Sequence, residues 1–590
     1  MKQNLLQRIL FPDSECVGER ELFYKTEKAG AVCGEKVLEI APYSRLDFNT
    51  YFNAFSCAKW SRYTNVRTVS LRLELSGDAE VSLVHNFVLS DKLNSKILKT
   101  VQVSGEEKQW IELDFGELMT IGNYSFSVTS KGQPVRIFDG AYVTYDQLPE
   151  KDVKLALIFT TYHREAYIRK NLELLEGRFS GEIHIYIVDN ASSLQIESNE
   201  NHTVIQNKNV GGAGGFARGM LKVMDDAACG FTHILIMDDD VLIYPAVIER
   251  LLLLLPCVKE EYEKAFVGGS MLRMDIPYIQ SESGGIWNRE SAVPFGFLTD
   301  LRDSFACIKN EFDHPSDYNA WWFCVVPISY LKEDNLPLPL FVFNDDVDYG
   351  LRNQKDLILM NGLCIWHEPF DSKFNAMRMY YQTRNVAIVN SVHNMALSEK
   401  EFLNMISEKV LTELELYRYS NAECIIKGAQ DFLKGPEWLA GLDAESYNSE
   451  ILRFNRKLEK LEKLELDRPF DYSWYQFCTS IPYMNKAKRG WKYFRERGTY
   501  LGKGRFLILP LYNTRLVKAY RNTAGILYYD ELSHQGFVAR PDEAEKKRLE
   551  GMLRGLQKQI KGRYSQAVSE YSNAYAYLTS RKQWETYLGI

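Results

Sequence analysis

Thr232 to Asp240 read THILIMDDD, an apolar run that ends in three consecutive carboxylates. A run without polar interruption is the mark of a strand covered on both faces. Two similar runs precede it, LALIFTTY (Leu155 to Tyr162) and IHIYIVDN (Ile183 to Asn190), and a helical pattern from Ala166 to Leu175 separates them. Strands alternating with helices predict right-handed crossovers and a parallel sheet. In such sheets ligands gather at the carboxyl ends of the strands. Three polar clusters fall there: His163-Arg164, Asp189-Asn190 and Asp238-Asp239-Asp240. Adjacent carboxylates repel, and a hard divalent cation relieves that repulsion while holding a diphosphate. The competing account is a solvated acidic turn.

The flanks differ in character. Residues 1–148 read as β structure: VRTVSLRLELSG, AEVSLVHNFVL, KTVQVSG, KQWIELDF and NYSFSVTS alternate apolar and polar positions, with Gly, Asp and Asn between them. That spacing predicts a β-sandwich. The α/β part spans 152–395. From 396 to 590 the pattern predicts a mainly helical region, including ILRFNRKLEKLEKLELDR (Ile451 to Arg468) and EAEKKRLEGMLRGLQKQIKGRY (Glu543 to Tyr564). The whole is a multidomain α/β chain.

Further motifs sit inside the central part. NVGGAGGFARG (Asn209 to Gly219) lacks the spacing of a dinucleotide fingerprint. A glycine-rich turn entering a helix lets backbone N–H groups, near Gly214 for example, approach a sugar or phosphate. A tight structural turn explains it equally well. FVFNDDVDYGLR places Asp345 and Asp346 after an apolar run, at what reads as another strand end. Two adjacent carboxylates can divide roles, one fixing a hydroxyl and one accepting its proton. Acids in the first turn of a helix are the alternative. CIWHEPF contributes His367, whose imidazole beside carboxylates suits Mn²⁺ or Mg²⁺ and favours Mn²⁺. In NAWWFCVVP, Trp321 and Trp322 are adjacent. Core packing is the usual fate of Trp, but on a strand the two point to opposite sides, so at least one would face a cleft.

Bulk properties exclude other classes. A net charge of −7 in 590 residues gives no support for nucleic-acid binding. Ten cysteines include no Cys-x-x-Cys pair; Cys229, Cys324 and Cys364 lie in apolar runs, as buried thiols of a reducing compartment do. MKQNLLQRILFPDSE is interrupted by Arg8 and Asp13 and is not a signal peptide. A cytoplasmic protein is expected. Eleven basic residues fall between Lys486 and Arg521 against Glu496 alone, interleaved with Trp491, Tyr493, Phe494, Tyr500 and Phe506. This stretch predicts docking to an anionic membrane surface; a solvated face, or a contact in a homo-oligomer, is the other account.

Taken together the motifs resemble family 2 glycosyltransferases, with Asp238-Asp239-Asp240 in place of their Asp-x-Asp motif. The likeness extends to bacterial galactofuranosyltransferases that polymerise cell-wall galactan. FNTYFNAFSCAKW (Phe48 to Trp60), TTYHR, NVGGAGGFARG, MDDDV, NAWWF, NDDVDYG, WH and YYQTRN (Tyr380 to Asn385) occur in that family's order. The resemblance implies a GT-A, Rossmann-like central domain, UDP-galactofuranose as donor, a lipid-linked saccharide as acceptor, and an inverting displacement. It implies Asp238, Asp240 and His367 as metal ligands. Arg164, Asp189, Asn209, Gly214 and Asp239 would meet the donor, and Trp321 and Trp322 the acceptor. Asp346 is implied as base and Asp345 as the group that binds a hydroxyl. Another donor, such as a rhamnosyl nucleotide, or a non-catalytic carbohydrate-binding protein are the competing readings.

Overall fold

A computed structural model describes residues 2–12, 19–26, 31–33, 37–480, 506–512 and 523–590. The N-terminal part forms two antiparallel sheets. One carries, in spatial order, Ala31–Cys33, Leu38–Ile40, Val135–Thr144, Thr68–Ser76 and Gln109–Glu117, with Asn4–Arg8 also on Val135–Thr144. The other carries Lys25–Thr26, Arg45–Asp47, Asn123–Ser130, Ala79–Leu89 and Lys92–Val103. The two-residue period puts Val69, Leu71, Leu73 and Leu75 on one face, where they share a buried cluster with Val81, Leu83, Phe126 and Val128 of the other sheet. Phe115 stacks on Tyr124 between the sheets, with ring centroids 4.5 Å apart.

The central part is a nine-stranded mixed sheet. His202–Gln206, Ile183–Asp189, Leu155–Thr161 and His233–Asp238 pair in parallel, as the alternation of strand and helix predicts. The parallel run is interrupted there and resumes only where Leu357–His367 joins Phe266–Arg273 in parallel. Cys324–Pro327 joins His233–Asp238 antiparallel, and Phe266–Arg273 joins Cys324–Pro327 antiparallel. Antiparallel neighbours need no helical crossover, and the strand–helix alternation indeed ends after the Pro245–Leu254 helix. The Gly211–Asp225 helix lies against Leu155–Thr161, and glycines permit the approach. A Cβ on Gly215 would sit 2.1 Å from Thr160 Cγ2, and one on Gly219 2.4 Å from Ile158 Cγ2.

From residue 376 on the chain is largely helical: Ala376–Val392 closes the central span, and Glu399–Glu415, Tyr419–Phe432 and the long Glu543–Leu578 follow. The last buries Leu549, Leu553, Leu556, Ile560, Tyr564, Ala567 and Tyr571, three or four residues apart, as one apolar stripe. The stretch from Ile451 to Arg468 is not the expected helix. The Ala444–Leu452 helix stops, and Glu459–Lys460 joins a four-stranded sheet with Gln535–Ala539, Gly525–Asp530 and Phe506–Pro510. Leu458, Leu461, Leu464 and Leu466 pack on that sheet, so leucines with helix-like spacing serve a different surface. Cys324 and Cys364 are buried, but Cys229 is exposed, because its segment is a single turn closed by left-handed Gly230 rather than part of the following strand. All eleven basic residues from Lys486 to Arg521 lie outside the described residues. Among the described residues no helix is long and apolar enough to cross a membrane.

The chain end returns to the central part. In Arg581–Leu588, Trp584 is fully buried and its indole N–H donates to the Pro337 carbonyl at 2.8 Å. A Cβ on Gly214 would lie 3.4 Å from this ring. Trp584→Ala is expected to destabilise the protein by about 3–5 kcal/mol, read as a lower denaturant midpoint. An unchanged midpoint would show that the chain end is not part of the central core.

Candidate active site

Register brings the three polar clusters together. Thr161 pairs with Asp189 and Thr160 with Asp238, so the three strands end at one edge of the sheet. The next turn is held by a two-bond bridge: Leu242 N–H donates to the Trp366 carbonyl (2.8 Å) and Trp366 N–H to the Leu242 carbonyl (3.2 Å). That bridge sets His367, the last residue of the Leu357–His367 strand, beside Asp240.

The charges here are tightly arranged. His367 Nε2 lies 3.1 Å from Asp240 Oδ1 and 4.0 Å from Asp238 Oδ2. Arg164 reaches Asp239 Oδ1 at 2.8 Å and Asp240 Oδ2 at 2.7 Å, and Lys373 Nζ lies 3.2 Å from Asp240. Burial and the charge of Asp240 push the Asp238 carboxyl up to about 6. Burial also acts to raise Asp240, but the His367 hydrogen bond and the surrounding cations hold it well below the usual carboxylate range. His367 Nδ1 donates to the Glu368 carbonyl at 2.5 Å, which leaves Nε2 directed at the carboxylates. One ligand atom each from Asp238, Asp240 and His367 lie within 4.8 Å of one another. Two carboxylate oxygens and an imidazole nitrogen fit a divalent cation, and their crowded negative charge calls for one.

Around this cluster the expected donor residues take definite places. Asp189 is buried, and its oxygens accept the backbone N–H groups of Ala191 (3.0 Å), Ser193 (2.7 Å) and Leu194 (2.8 Å), which shapes the turn beside the cluster. Asn209 Oδ1 accepts the Gly211 N–H at 3.2 Å. Gly214 lies buried in the first turns of the glycine-rich helix, where a Cβ would meet Val210 Cγ2 at 2.2 Å. Its lack of a side chain therefore has a packing cause.

Trp321 and Trp322 precede the Cys324–Pro327 strand in a turn, so opposite-facing strand geometry does not apply, and both are buried. Trp321 packs edge-on to Phe216 and Tyr349. Trp322 donates to the Gly269 carbonyl and sits 6.1 Å from Phe370, whose ring lies 5.0 Å from His367.

Asp345 and Asp346 do not end a strand. They open the Asp345–Asn353 helix after a loop in which Phe341, Phe343 and Asn344 all have positive φ. Burial pushes the Asp345 carboxyl well up, and the charges of Asp346 and Asp238 add to the effect, which places the pair within electrostatic reach of the ligand cluster. Burial raises Asp346 to about 6. Asp348, the third acid of this turn, is fully buried. It accepts from His393 Nε2 (2.9 Å) and Tyr575 OH (2.7 Å), and so is committed to structure.

Two groups had no signal in the sequence. Lys373 reaches the cluster from a short turn. Glu282, at the end of Ile279–Glu282, accepts from Tyr318 OH at 2.9 Å; burial pushes it up to about 8, and the charge of Asp346 contributes. Neither lies in a motif, and only the folded chain brings them near the acids.

A family model described as Glycosyl transferase family 2 matches residues 156–261, the strands and helices that build this edge. The chain is a glycosyltransferase. A second model, described as Galactofuranosyltransferase 2 N-terminal, matches residues 6–145. The transferase is 26% identical over 483 residues to Galactofuranosyltransferase GlfT2 of Mycolicibacterium smegmatis, covering 74% of this chain and 72% of that one. It is 24% identical over 478 residues to the GlfT2 of Mycobacterium tuberculosis, covering 74% and 73%. Its resemblance is thus to family 2 transferases of galactofuranosyltransferase type. The crystal structure of S. aureus TarS 1-349 aligns over 54% of this chain and 98% of that one, at 14% identity and a TM-score of 0.30.

If Asp240 and His367 hold a cation, Asp240→Ala and His367→Ala each weaken Mn²⁺ binding by about 10-fold or more in a direct titration. Wild-type affinity in both variants would remove the cluster as a metal site.

Proposed function

We propose that the chain is an inverting, metal-dependent galactofuranosyltransferase that moves galactofuranose from UDP-galactofuranose to a lipid-linked saccharide in the synthesis of a surface or cell-wall polysaccharide. The observation that carries this is a carboxylate–imidazole cluster at the strand ends, with a second, buried acid pair at a helix start. Asp240 is held ionised among cations beside His367, while Asp345 and Asp346 are buried with raised pKa values at a helix start within electrostatic reach. Sugar binding alone needs no such pair, and the named relatives are galactofuranosyltransferases.

In this reading the N-terminal sheets are a β-sandwich domain (1–148), followed by a GT-A domain (152–395) and a helical domain (396–590). Asp238, Asp240 and His367 hold Mn²⁺ or Mg²⁺, with the imidazole favouring Mn²⁺. The bound ion supplies charge neutralisation for the departing diphosphate. Arg164, Asp189, Asn209, Gly214 and Asp239 form the donor side, and Trp321 and Trp322 back the acceptor side. Asp345 orients an acceptor hydroxyl and Asp346 takes its proton. The hydroxyl oxygen then bonds to the anomeric carbon from the face opposite UDP, which leaves with the electron pair of the broken C–O bond. The enzyme works in the cytoplasm, at the inner face of the membrane.

A general base must be ionised to act, so its raised pKa sets the acid limb of the rate profile. With Asp346 at about 6, kcat/KM should fall roughly tenfold per pH unit below about pH 6. Asp346→Asn should lower kcat about 10²-fold or more with UDP affinity retained. Turnover near wild type would reject Asp346 as base. Donor hydrolysis with and without Mn²⁺ distinguishes a transferase from a binder, and a panel of labelled UDP-galactofuranose and rhamnosyl donors offered with lipid extracts identifies the donor.

The membrane assignment rests on the basic stretch. Each basic residue near an anionic surface contributes about 1 kcal/mol, so four suffice for reversible attachment. Wild type should co-sediment with anionic vesicles in a salt-sensitive way, and a variant with Lys488, Arg489, Lys492 and Arg495 changed to Glu should not. Equal binding to neutral vesicles would sink the idea.

A further inference from the structure

YYQTRN, Tyr380 to Asn385, lies on the Ala376–Val392 helix, and every polar group named above for the site belongs to other segments. Arg384 and Asn385 are nevertheless almost completely buried. Arg384 lies over the rings of Tyr380 (5.4 Å) and Tyr381 (5.0 Å). Its guanidinium donates to the Leu340 carbonyl at 2.7 Å and to Asn385 Oδ1 at 2.9 Å. No carboxylate is among the partners described for it. A buried cation directed at a backbone carbonyl is an expensive way to hold a core together, since apolar packing would do so without desolvating a charge.

The bond from Arg384 fixes which way the Asn385 amide faces, and its Nδ2 points at two further carbonyls, Val342 (2.7 Å) and Phe343 (2.9 Å), and at that of Leu340 again (3.3 Å). This is the loop that precedes Asp345. Phe341, Phe343 and Asn344 have φ of 74°, 66° and 69°, a region that side chains with a Cβ rarely adopt and that persists only where surroundings enforce it. The remaining carbonyl, that of Phe341, accepts the Ala213 N–H at 3.1 Å from the start of the glycine-rich helix. Phe341 itself stacks on Tyr381 at 5.3 Å. Gly211 approaches so closely that a Cβ there would lie 2.1 Å from the Phe341 oxygen. The carbonyls of 340, 341, 342 and 343 are therefore all tied, three of them by one arginine–asparagine pair.

We infer that Arg384 and Asn385 are positioning residues that lock the left-handed Leu340–Asn344 loop, and so fix where Asp345 and Asp346 meet the acceptor hydroxyl. This rests on the reading of that acid pair as the acceptor-activating group. Because the loop is also bonded to the Gly211–Ala213 turn, the same clamp sets the acid pair relative to the donor side of the cleft.

The test uses the full-length chain with Mn²⁺, UDP-galactofuranose and an oligogalactofuranose acceptor. Asn385→Ala should lower kcat by about 10- to 100-fold, because small displacements of a reacting group cost that much. UDP affinity and donor KM should stay within about threefold, since no donor contact is altered. A double-mutant cycle adds the decisive readout. In the Asp346→Asn background, Asn385→Ala should cost less than about twofold of the residual rate, because the group it positions is already gone. An equal fractional loss in both backgrounds, or an unchanged kcat in the single variant, would overturn the proposal. Asp346→Asn alone tests the underlying reading: full turnover there removes the acid pair from the chemistry, whatever Asn385→Ala does. Should Asn385→Ala fail to melt cooperatively, Arg384→Lys keeps the charge, loses the planar fork and carries the same expectations. Loss of cooperative melting in both would assign the pair to stability alone and overturn the inference.

Discussion

Repulsion among Asp238, Asp239 and Asp240 is the constraint around which the rest of the site is arranged. Two like charges about 4 Å apart cost roughly 4 kcal/mol at the effective dielectric of a protein surface. A buried strand that ends in three carboxylates must therefore gather cations or fail to fold. Arg164 comes from the neighbouring strand's end, Lys373 from the turn after the Leu357–His367 strand, and His367 from that strand itself. Each partner is supplied by a different segment, so the edge exists only when the mixed sheet is complete. Arg164 and Lys373 contact Asp239 and Asp240 but not Asp238; burial still raises Asp239 against Arg164, and it pushes Asp238 up to about 6. That uneven compensation leaves Asp238 as the carboxylate with most to gain from a further positive charge.

The second acid group obeys the opposite rule. No cation is bonded to Asp345 or Asp346 among the described residues, and burial keeps both carboxyls protonated more readily than in water. Asp240 is thus held as an anion, while Asp238, Asp345 and Asp346 all keep raised pKa values. Asp348, one turn further along the same helix, shows how this division is made. Against the effect of burial, Arg352, His393 and Tyr575 lower its pKa, and all three bond to it.

Much of this was legible in the chain. The apolar runs at Leu155, Ile183 and His233 specify neighbouring strands because nothing polar interrupts them, and their terminal acids must then share an edge. Alternation in Val66 to Gly77 fixed the N-terminal β structure for the same reason. Other parts were not legible. Leu458, Leu461 and Leu464 carry a spacing of three that suits a helix, yet the neighbouring four-stranded sheet offers them a better apolar surface. Trp321 and Trp322 sit in a turn, where the two-residue rule has no force. Glu282 and Lys373 stand in polar stretches whose chemistry appears only when distant segments meet.

The acid pair shows why the apolar FVF run before it misleads. On a strand, Phe341 to Phe343 would have extended φ and ψ, and Asp345 and Asp346 would point to opposite faces. Left-handed conformations at three of four residues instead reverse the chain and deliver both acids into the first turn of one helix. The helix dipole favours anions there, but burial opposes them, and the raised pKa values show that burial wins. A loop this strained keeps its shape only while its carbonyls stay bonded. The geometry of the acid pair is therefore set on the far side of the loop, by Arg384, Asn385 and the start of the glycine-rich helix.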